Sequence, residues 1–145
     1  MIKVNFYDQV DDDLLKFAVI VSRYQNQFVF CKHRLRHTFE LPGGTREKNE
    51  TILETAKREL YEETGALSFK LTPICVYSVI GKTRVNLEGQ ESYGMLYFAD
   101  IETLDQTLHS EIESIHLFDT LPDDLTYPLI QPYLFNKVIQ IVNKK

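Results

Sequence analysis

Apolar and polar residues alternate from Ile2 to Tyr7, a period of two that predicts an edge or half-buried strand. Lys16 to Ser22 and Gln27 to Lys32 are rich in β-formers and flank Arg23 to Asn26, the pattern of a hairpin. Leu71 to Ile80 and Ser92 to Asp100 read as strands, and Glu111 to Phe118 as a further candidate. The Ser92 run is apolar at nearly every position, so both of its faces should be covered. Between these strands the period changes to that of a helix. Leu53, Ala56 and Leu60 form an apolar stripe within Thr51 to Thr64. Thr51 and Glu54 make a capping box at its start, and Gly65 is placed to end it. Pro42-Gly43-Gly44 reads as a breaker, Asp11-Asp12-Asp13 as a solvated turn, and Leu121-Pro122-Asp123-Asp124 as a loop. Tyr127 to Asn143 should be largely helical, with Pro128 in its first turn and Pro132 delaying its start. A mixed β-sheet sandwiched between α-helices, an α/β/α arrangement, accounts for this order.

The chain has 145 residues, which fits one domain over 1–145. With 43% hydrophobic and 26% charged residues it has the composition of an ordinary globular protein. A net charge of −5 argues against a DNA-binding module that relies on a broad basic surface. It leaves a phosphate substrate open, because bound divalent cations invert the local field. Met1 to Val10 contains no apolar stretch of signal-peptide length, and Phe17 to Val21, the longest apolar run, is too short to span a bilayer. Cys31 and Cys75 form no spacing motif and read as buried thiols, so a cytoplasmic address is the default expectation.

The Thr51–Thr64 segment has a feature that folding does not explain. Glu59, Glu62 and Glu63 are neighbours at helical spacing, and they flank the core-facing side. Carboxylates in the last turns of a helix oppose its dipole, at a cost of about 0.3–1 kcal/mol each when exposed. Arg58 can offset part of this through Glu54 or Glu62, each four residues away. The pattern reads either as a solvated acidic face or as an oxygen-rich site for a hard cation, Mg²⁺ or Mn²⁺.

Gly44, Glu50, Arg58-Glu59-Leu60, Glu62-Glu63 and Gly65-Ala66 reproduce the intervals of G-x5-E-x7-R-E-U-x-E-E-x-G-U, where U is a bulky aliphatic. This resembles the signature of the Nudix hydrolases. It covers residues 44–66 and departs only at Ala66, which is small for its position. The resemblance implies a Nudix fold and Mg²⁺-dependent cleavage of a pyrophosphate linkage. It implies that Glu59, Glu62 and Glu63 bind the cations, that Arg58 orients them with Glu50, and that Gly43 offers its carbonyl to a metal. Gly44, Glu50 and Gly65 would be structural parts of the motif. It also implies a carboxylate from a later loop. Glu111 is the candidate, Glu113 the runner-up, and Glu91 and Glu102 stand further back.

Lys32, Arg34 and Arg36 read either as a guide for phosphates or as a solvated basic edge, and Arg34, Arg36 and Glu40 are the candidate substrate contacts. His33 and His37 have zinc-pair spacing but lack a third ligand. Tyr77, Tyr93 and Tyr97 read as sheet packing, from which one or more could line a base pocket. The phrase Thr38 to Gly44 is similar to the MutT-like (8-oxo-dGTP diphosphatase) branch, and Cys31 to Glu63 to its bacillary YtkD-type members. That implies hydrolysis of a nucleoside triphosphate, with 8-oxo-dGTP leading. In that branch an Asn before the C-terminal helix reads the oxidised base, and here Thr126 or Tyr127 stands there. Base reading then differs, through Asn136 or backbone groups, or the substrate is another nucleotide. Removal of pyrophosphate from RNA 5′ ends, cleavage of a nucleotide sugar or dinucleotide, and a non-catalytic nucleotide sensor are the alternatives. The family also includes homodimers, though no residue pattern identifies an interface.

Overall fold

The computed structural model describes residues 2–83, 87–105 and 112–143, the side chains of Ile112 and Glu113 excepted. Eight strands form one mixed sheet: β1 (Lys3–Tyr7), β2 (Leu15–Tyr24), β3 (Gln27–His33), β4 (Phe39–Glu40), β5 (Gly43–Thr45), β6 (Ala66–Ile80), β7 (Ser92–Leu104) and β8 (Ile112–Phe118). Two helices, α1 (Ile52–Thr64) and α2 (Gln131–Val142), cover it. The expected hairpin is present: β2 and β3 join through Gln25 and Asn26, both at positive φ (52° and 68°), the backbone that a tight two-residue hairpin turn requires.

Alternation along the central strands assigns one helix to each face. Ala18 and Ile20 of β2 pack with Tyr97 and Ala99 of β7 beneath Ala56 and Leu60 of α1. Val21, Leu96 and Phe98 point the other way, against Leu134, Phe135 and Val138 of α2. Both faces of β7 are therefore covered, as its apolar run demands. At about 25 cal/mol per Å² of apolar surface, burial on both faces is the main stabilising term.

The sheet forks at its centre. β2 pairs with β3 only at Ser22 to Tyr24; lower down, Phe17 to Val19 pair with β5 instead. β3 continues past β2, paired with β8 from Phe28 to His33, and takes β4 as a further partner, Cys31 opposite Glu40 and Lys32 opposite Phe39. Leu41 and Pro42 bridge the two branches, with the Pro42 carbonyl accepting the Ile20 N–H at 2.9 Å. A cavity opens at this fork.

Four local expectations are corrected. Pro42-Gly43-Gly44 does not break the chain into a loop; its glycines run as β5 against β2. Leu53 is 42% exposed, and the buried side of α1 is instead Thr55, Ala56, Leu60 and Thr64. Thr55 tolerates burial because its hydroxyl donates to Glu50 Oε1 at 2.9 Å. β6 starts at Ala66, directly after the helix-ending Gly65, and so is longer than Leu71 to Ile80. α2 begins at Gln131, with Pro132 in its first turn where a missing N–H costs nothing, so Tyr127 to Ile130 lie outside it.

Candidate active site

α1 is fixed at both ends. The Thr51 hydroxyl accepts the Glu54 N–H at 3.1 Å, while Glu54 Oε1 accepts the Thr51 N–H at 2.8 Å. Glu54 is thereby committed to the cap and is not the partner of Arg58. At the other end Gly65 takes φ 78° and donates its N–H to the Tyr61 carbonyl at 2.8 Å. The Asp105 backbone lies against it, so a larger residue would meet both strain and a clash.

Glu50 and Arg58 form a forked ion pair, Nε to Oε2 at 2.6 Å and Nη2 to Oε1 at 3.0 Å. The Arg58 guanidinium holds the Glu50 carboxyl down to about 2, with help from the Glu47 N–H. Glu50 in turn raises the pKa of Arg58. The remaining nitrogen, Nη1, lies 3.4 Å from both Glu59 Oε2 and Glu62 Oε1. Arg58 therefore stands between two carboxylates with its own geometry set by a third.

Glu63 Oε1 accepts the Gly43 N–H at 2.7 Å. That contact follows from register. Val19 and Gly43 face each other with their neighbours making the ladder bonds, so the Gly43 N–H and C=O both point away from β2, and the N–H meets Glu63 of α1. A Cβ on Gly43 would collide with the Ala18 carbonyl, and one on Gly44 with the Glu59 carboxylate. Burial pushes Glu59 up to about 7, with Arg58 opposing. Burial pushes Glu63 up to about 8 against the Gly43 N–H, and the neighbouring Glu59 and Glu40 raise it further.

Glu59, Glu62, Glu63, Arg58, Gly43 and Gly44 all line one cavity of about 990 Å³. Arg36 and Glu40 line it too, paired with each other at 2.9 Å. Arg34, expected beside them, is exposed and lies outside the lining. It follows Lys32 and His33 of β3 into the turn, where the chain leaves the cavity wall. Glu111 and the side chain of Glu113 lie outside the described residues. Glu91 is engaged by Tyr7 at 2.7 Å and Ser78 at 2.6 Å, Glu102 is exposed, and neither lines the cavity. Asn136 is exposed and outside it as well, and the Thr126 hydroxyl is 2.6 Å from that of Thr38. Tyr77 and Tyr127 are in the lining, whereas Tyr93 stacks near Tyr7 and Tyr97 is in the core. Cys31 and Cys75 are buried free thiols.

Two lining residues escape the sequence reading. Arg46 donates to the Glu50 carbonyl at 2.8 Å and to the Asp12 carbonyl and carboxylate, each at 2.9 Å. It pins the loop that carries Glu50 to the 3₁₀ turn at Asp12–Leu14. Gln131 is buried and accepts the Leu41 N–H at 2.8 Å. Neither position has a spacing signal, because Arg46 reaches Asp12, 34 residues away, and Gln131 reaches Leu41, 90 residues away.

The donor set suits a hard divalent cation: it is all carboxylate oxygen, with two of the carboxyls buried enough to favour protonation unless a positive partner is supplied. Among the described residues no three Asp, Glu, His or Cys side chains are drawn into ligand spacing. Glu59 and Glu62 lean on Arg58, and Glu63 on Gly43. No helix among the described residues is long and apolar enough to cross a membrane.

An oxygen-rich acidic helix facing a cleft in a forked mixed sheet suits hydrolysis of a phosphoanhydride, and the comparisons with known proteins agree. The NUDIX domain family profile matches residues 14–131, and the chain belongs to the Nudix family. It is 34% identical over 126 residues to the Bacillus subtilis (strain 168) protein named "Putative 8-oxo-dGTP diphosphatase YtkD", covering 86% of this chain and 75% of that one. It is 42% identical to an RNA pyrophosphohydrolase of Bartonella henselae over 48 residues, 31% of this chain and 28% of that one. Among solved structures it is similar to the Bacillus subtilis pyrophosphohydrolase BsRppH, with a TM-score of 0.76 and 28% identity over 97% of this chain and 90% of that one. A UDP-X diphosphatase shares the fold, with a TM-score of 0.71 at 19% identity over 90% of this chain and 63% of that one. The chain is thus a Nudix hydrolase that cleaves pyrophosphate bonds, in a family that generally uses divalent cations.

Proposed function

We propose that this chain, as one domain over residues 1–145 acting in the cytoplasm, hydrolyses nucleoside triphosphates to the monophosphate and pyrophosphate. It does so with Mg²⁺, for which Mn²⁺ can substitute, and 8-oxo-dGTP is the leading candidate substrate. The observation that carries this reading is the continuity of one cavity. Its acidic end holds Glu59, Glu62 and Glu63, and its other end is walled by Tyr77, Val79, Ile130 and Leu134, apolar surface suited to a base. The extent of the likeness to YtkD supports the same choice.

Glu59, Glu62 and Glu63 would hold the cations, together with the Gly43 carbonyl. Bound Mg²⁺ supplies charge neutralisation at the pyrophosphate and acidifies water there. Arg58 is a positioning residue: locked by Glu50, it sets the directions of Glu59 and Glu62. Glu63, buried and anchored by the Gly43 N–H, is poised to take a proton from the attacking water once its charge is balanced. Arg36 guides phosphates into the cavity, with Glu40 fixing its guanidinium. Glu111 is the proposed late-loop carboxylate. Catalysis is then mainly positioning and electrostatics.

A second reading, removal of pyrophosphate from RNA 5′ ends, is favoured by the likeness to BsRppH. The two are separated by comparing kcat/KM, with Mg²⁺, for 8-oxo-dGTP, the ordinary nucleoside triphosphates, 5′-triphosphorylated RNA, nucleotide sugars and dinucleoside polyphosphates. The expected result is faster turnover of free triphosphates, yielding monophosphate and pyrophosphate, with no gain from an attached RNA chain. Preference for RNA ends would transfer the proposal to the second reading.

A further inference from the structure

Among the described residues, the apolar end of the cavity contains one side-chain amide, Gln131 at the first turn of α2. It is 6% exposed, and its Oε1 accepts the Leu41 N–H at 2.8 Å. That bond fixes which way the amide faces, because a flipped amide would set its NH₂ against an N–H donor. The oxygen is committed to the protein, and the NH₂ is what Gln131 offers the cavity. Thr126 and Asn136, which the sequence offers for base reading, are occupied or elsewhere. The Thr126 hydroxyl is paired with Thr38, and Asn136 lies outside the lining. The Tyr77 hydroxyl is held protonated by burial, and a hydroxyl serves as donor or acceptor and so selects neither.

We propose that Gln131 is a specificity residue that selects nucleotides presenting a ring carbonyl to its NH₂, the guanine, hypoxanthine and uracil type, over those presenting an amino group, adenine and cytosine. This rests on the reading of the cavity as a nucleotide site. A carbonyl oxygen completes the amide's hydrogen bonds. An amino group sets donor against donor where little water is at hand to satisfy either, which rejects the wrong base as well as favouring the right one. The carbonyl at position 6 is common to guanine and 8-oxoguanine, so Gln131 sorts keto from amino bases and not oxidised from ordinary guanine.

The test compares ITP with ATP, which differ only in the 6-carbonyl and its adjoining N–H, by kcat/KM with Mg²⁺. The same pair is compared as IMP and AMP by calorimetric binding, which needs no turnover. The expected preference for the keto member is roughly 10-fold or more in both readouts, as one rejected hydrogen bond gives. Gln131→Glu keeps an oxygen for the Leu41 N–H and deletes the NH₂, and should collapse or reverse the ITP/ATP and IMP/AMP ratios. Gln131→Met, similar in shape and without donors, should bring both near one. A wild-type ratio near one, or a ratio that survives both substitutions, overturns the proposal. Turnover without keto preference would sink this inference and leave the hydrolase reading intact. Keto-selective binding of IMP without triphosphate cleavage would do the reverse.

Discussion

The two ends of the cavity are built by opposite rules. The α1 end is crowded with charge: Glu50, Arg58, Glu59, Glu62 and Glu63 come from one loop and one helix, and the ion pair of the first two orients the others. The α2 end is apolar, assembled from β6, the segment before α2 and α2 itself, and carries one fixed amide. The charged end can be dense because its residues are neighbours along the chain and lock one another. The apolar end has no such local lock, and on the proposed reading its selectivity rests on shape and the Gln131 amide. That reading puts reaction chemistry where the sequence is contiguous, and discrimination where the fold brings distant segments together.

Substitutions that keep shape and remove charge test this division most sharply. Glu62→Gln and Glu63→Gln should each lower kcat by at least ~100-fold, as loss of a group acting on the transition state does. Glu63→Gln retains an oxygen for the Gly43 N–H and replaces a carboxyl whose burial already favours the neutral form, so thermal melts should show no loss of stability. Wild-type rates in both variants would remove the α1 end from the reaction. A smaller effect is expected from Gly44→Ala. The new Cβ occupies the place of the Glu59 carboxylate, and displacing that group by about 1 Å should cost 10- to 100-fold in kcat/KM. The IMP/AMP binding ratio should be unaffected, because the α2 end is untouched; a changed ratio would show that the ends are coupled.

The smallest effect is on stability and pH. Glu59 near 7 and Glu63 near 8 lie above the ordinary 4.5, so the folded chain holds protons that the unfolded chain has released. In chelator, stability should fall as pH rises from about 4.5 through about 8, and Tm should be lower at pH 9 than at pH 6. Glu50, held near 2, acts in the opposite sense and only as pH drops below 4.5. Mg²⁺ should flatten the decline, since it stabilises the ionised carboxylates. An unchanged Tm across that range would show that the acidic end carries no such burial cost.

What was legible in the sequence was what is local. The capping box, Gly65 and the spacing of Glu50, Arg58 and the three later carboxylates are set within a few helical turns, and the structure bears out the helix and its caps. The hairpin at Gln25-Asn26 and the two covered faces of β7 were equally plain. Periodicity misjudged Leu53 because it weighs hydrophobicity alone, while Thr55 and Thr64 are buried by virtue of hydroxyls that find acceptors. Pro42-Gly43-Gly44 reads as a breaker from propensity, but its glycines are what let a strand lie this close to β2 and Glu59. Arg46, Gln131 and the exclusion of Arg34 depend on where the fork places loops, which no short window contains.

The parallel pairing of β2 with β7 has a consequence for how the molecule is made. Residues 15–24 pair with residues 93–101, and everything that carries the acidic end lies between them. Contacts so distant along the chain close large loops before they return any energy, and they slow folding. During synthesis β2 must wait, with one edge bare, until β7 has emerged, so the reaction centre is among the later features to be completed. A nascent chain halted before Ser92 would hold every residue of the acidic motif and still lack the central strand on which β2, and with it β5 and Gly43, is built.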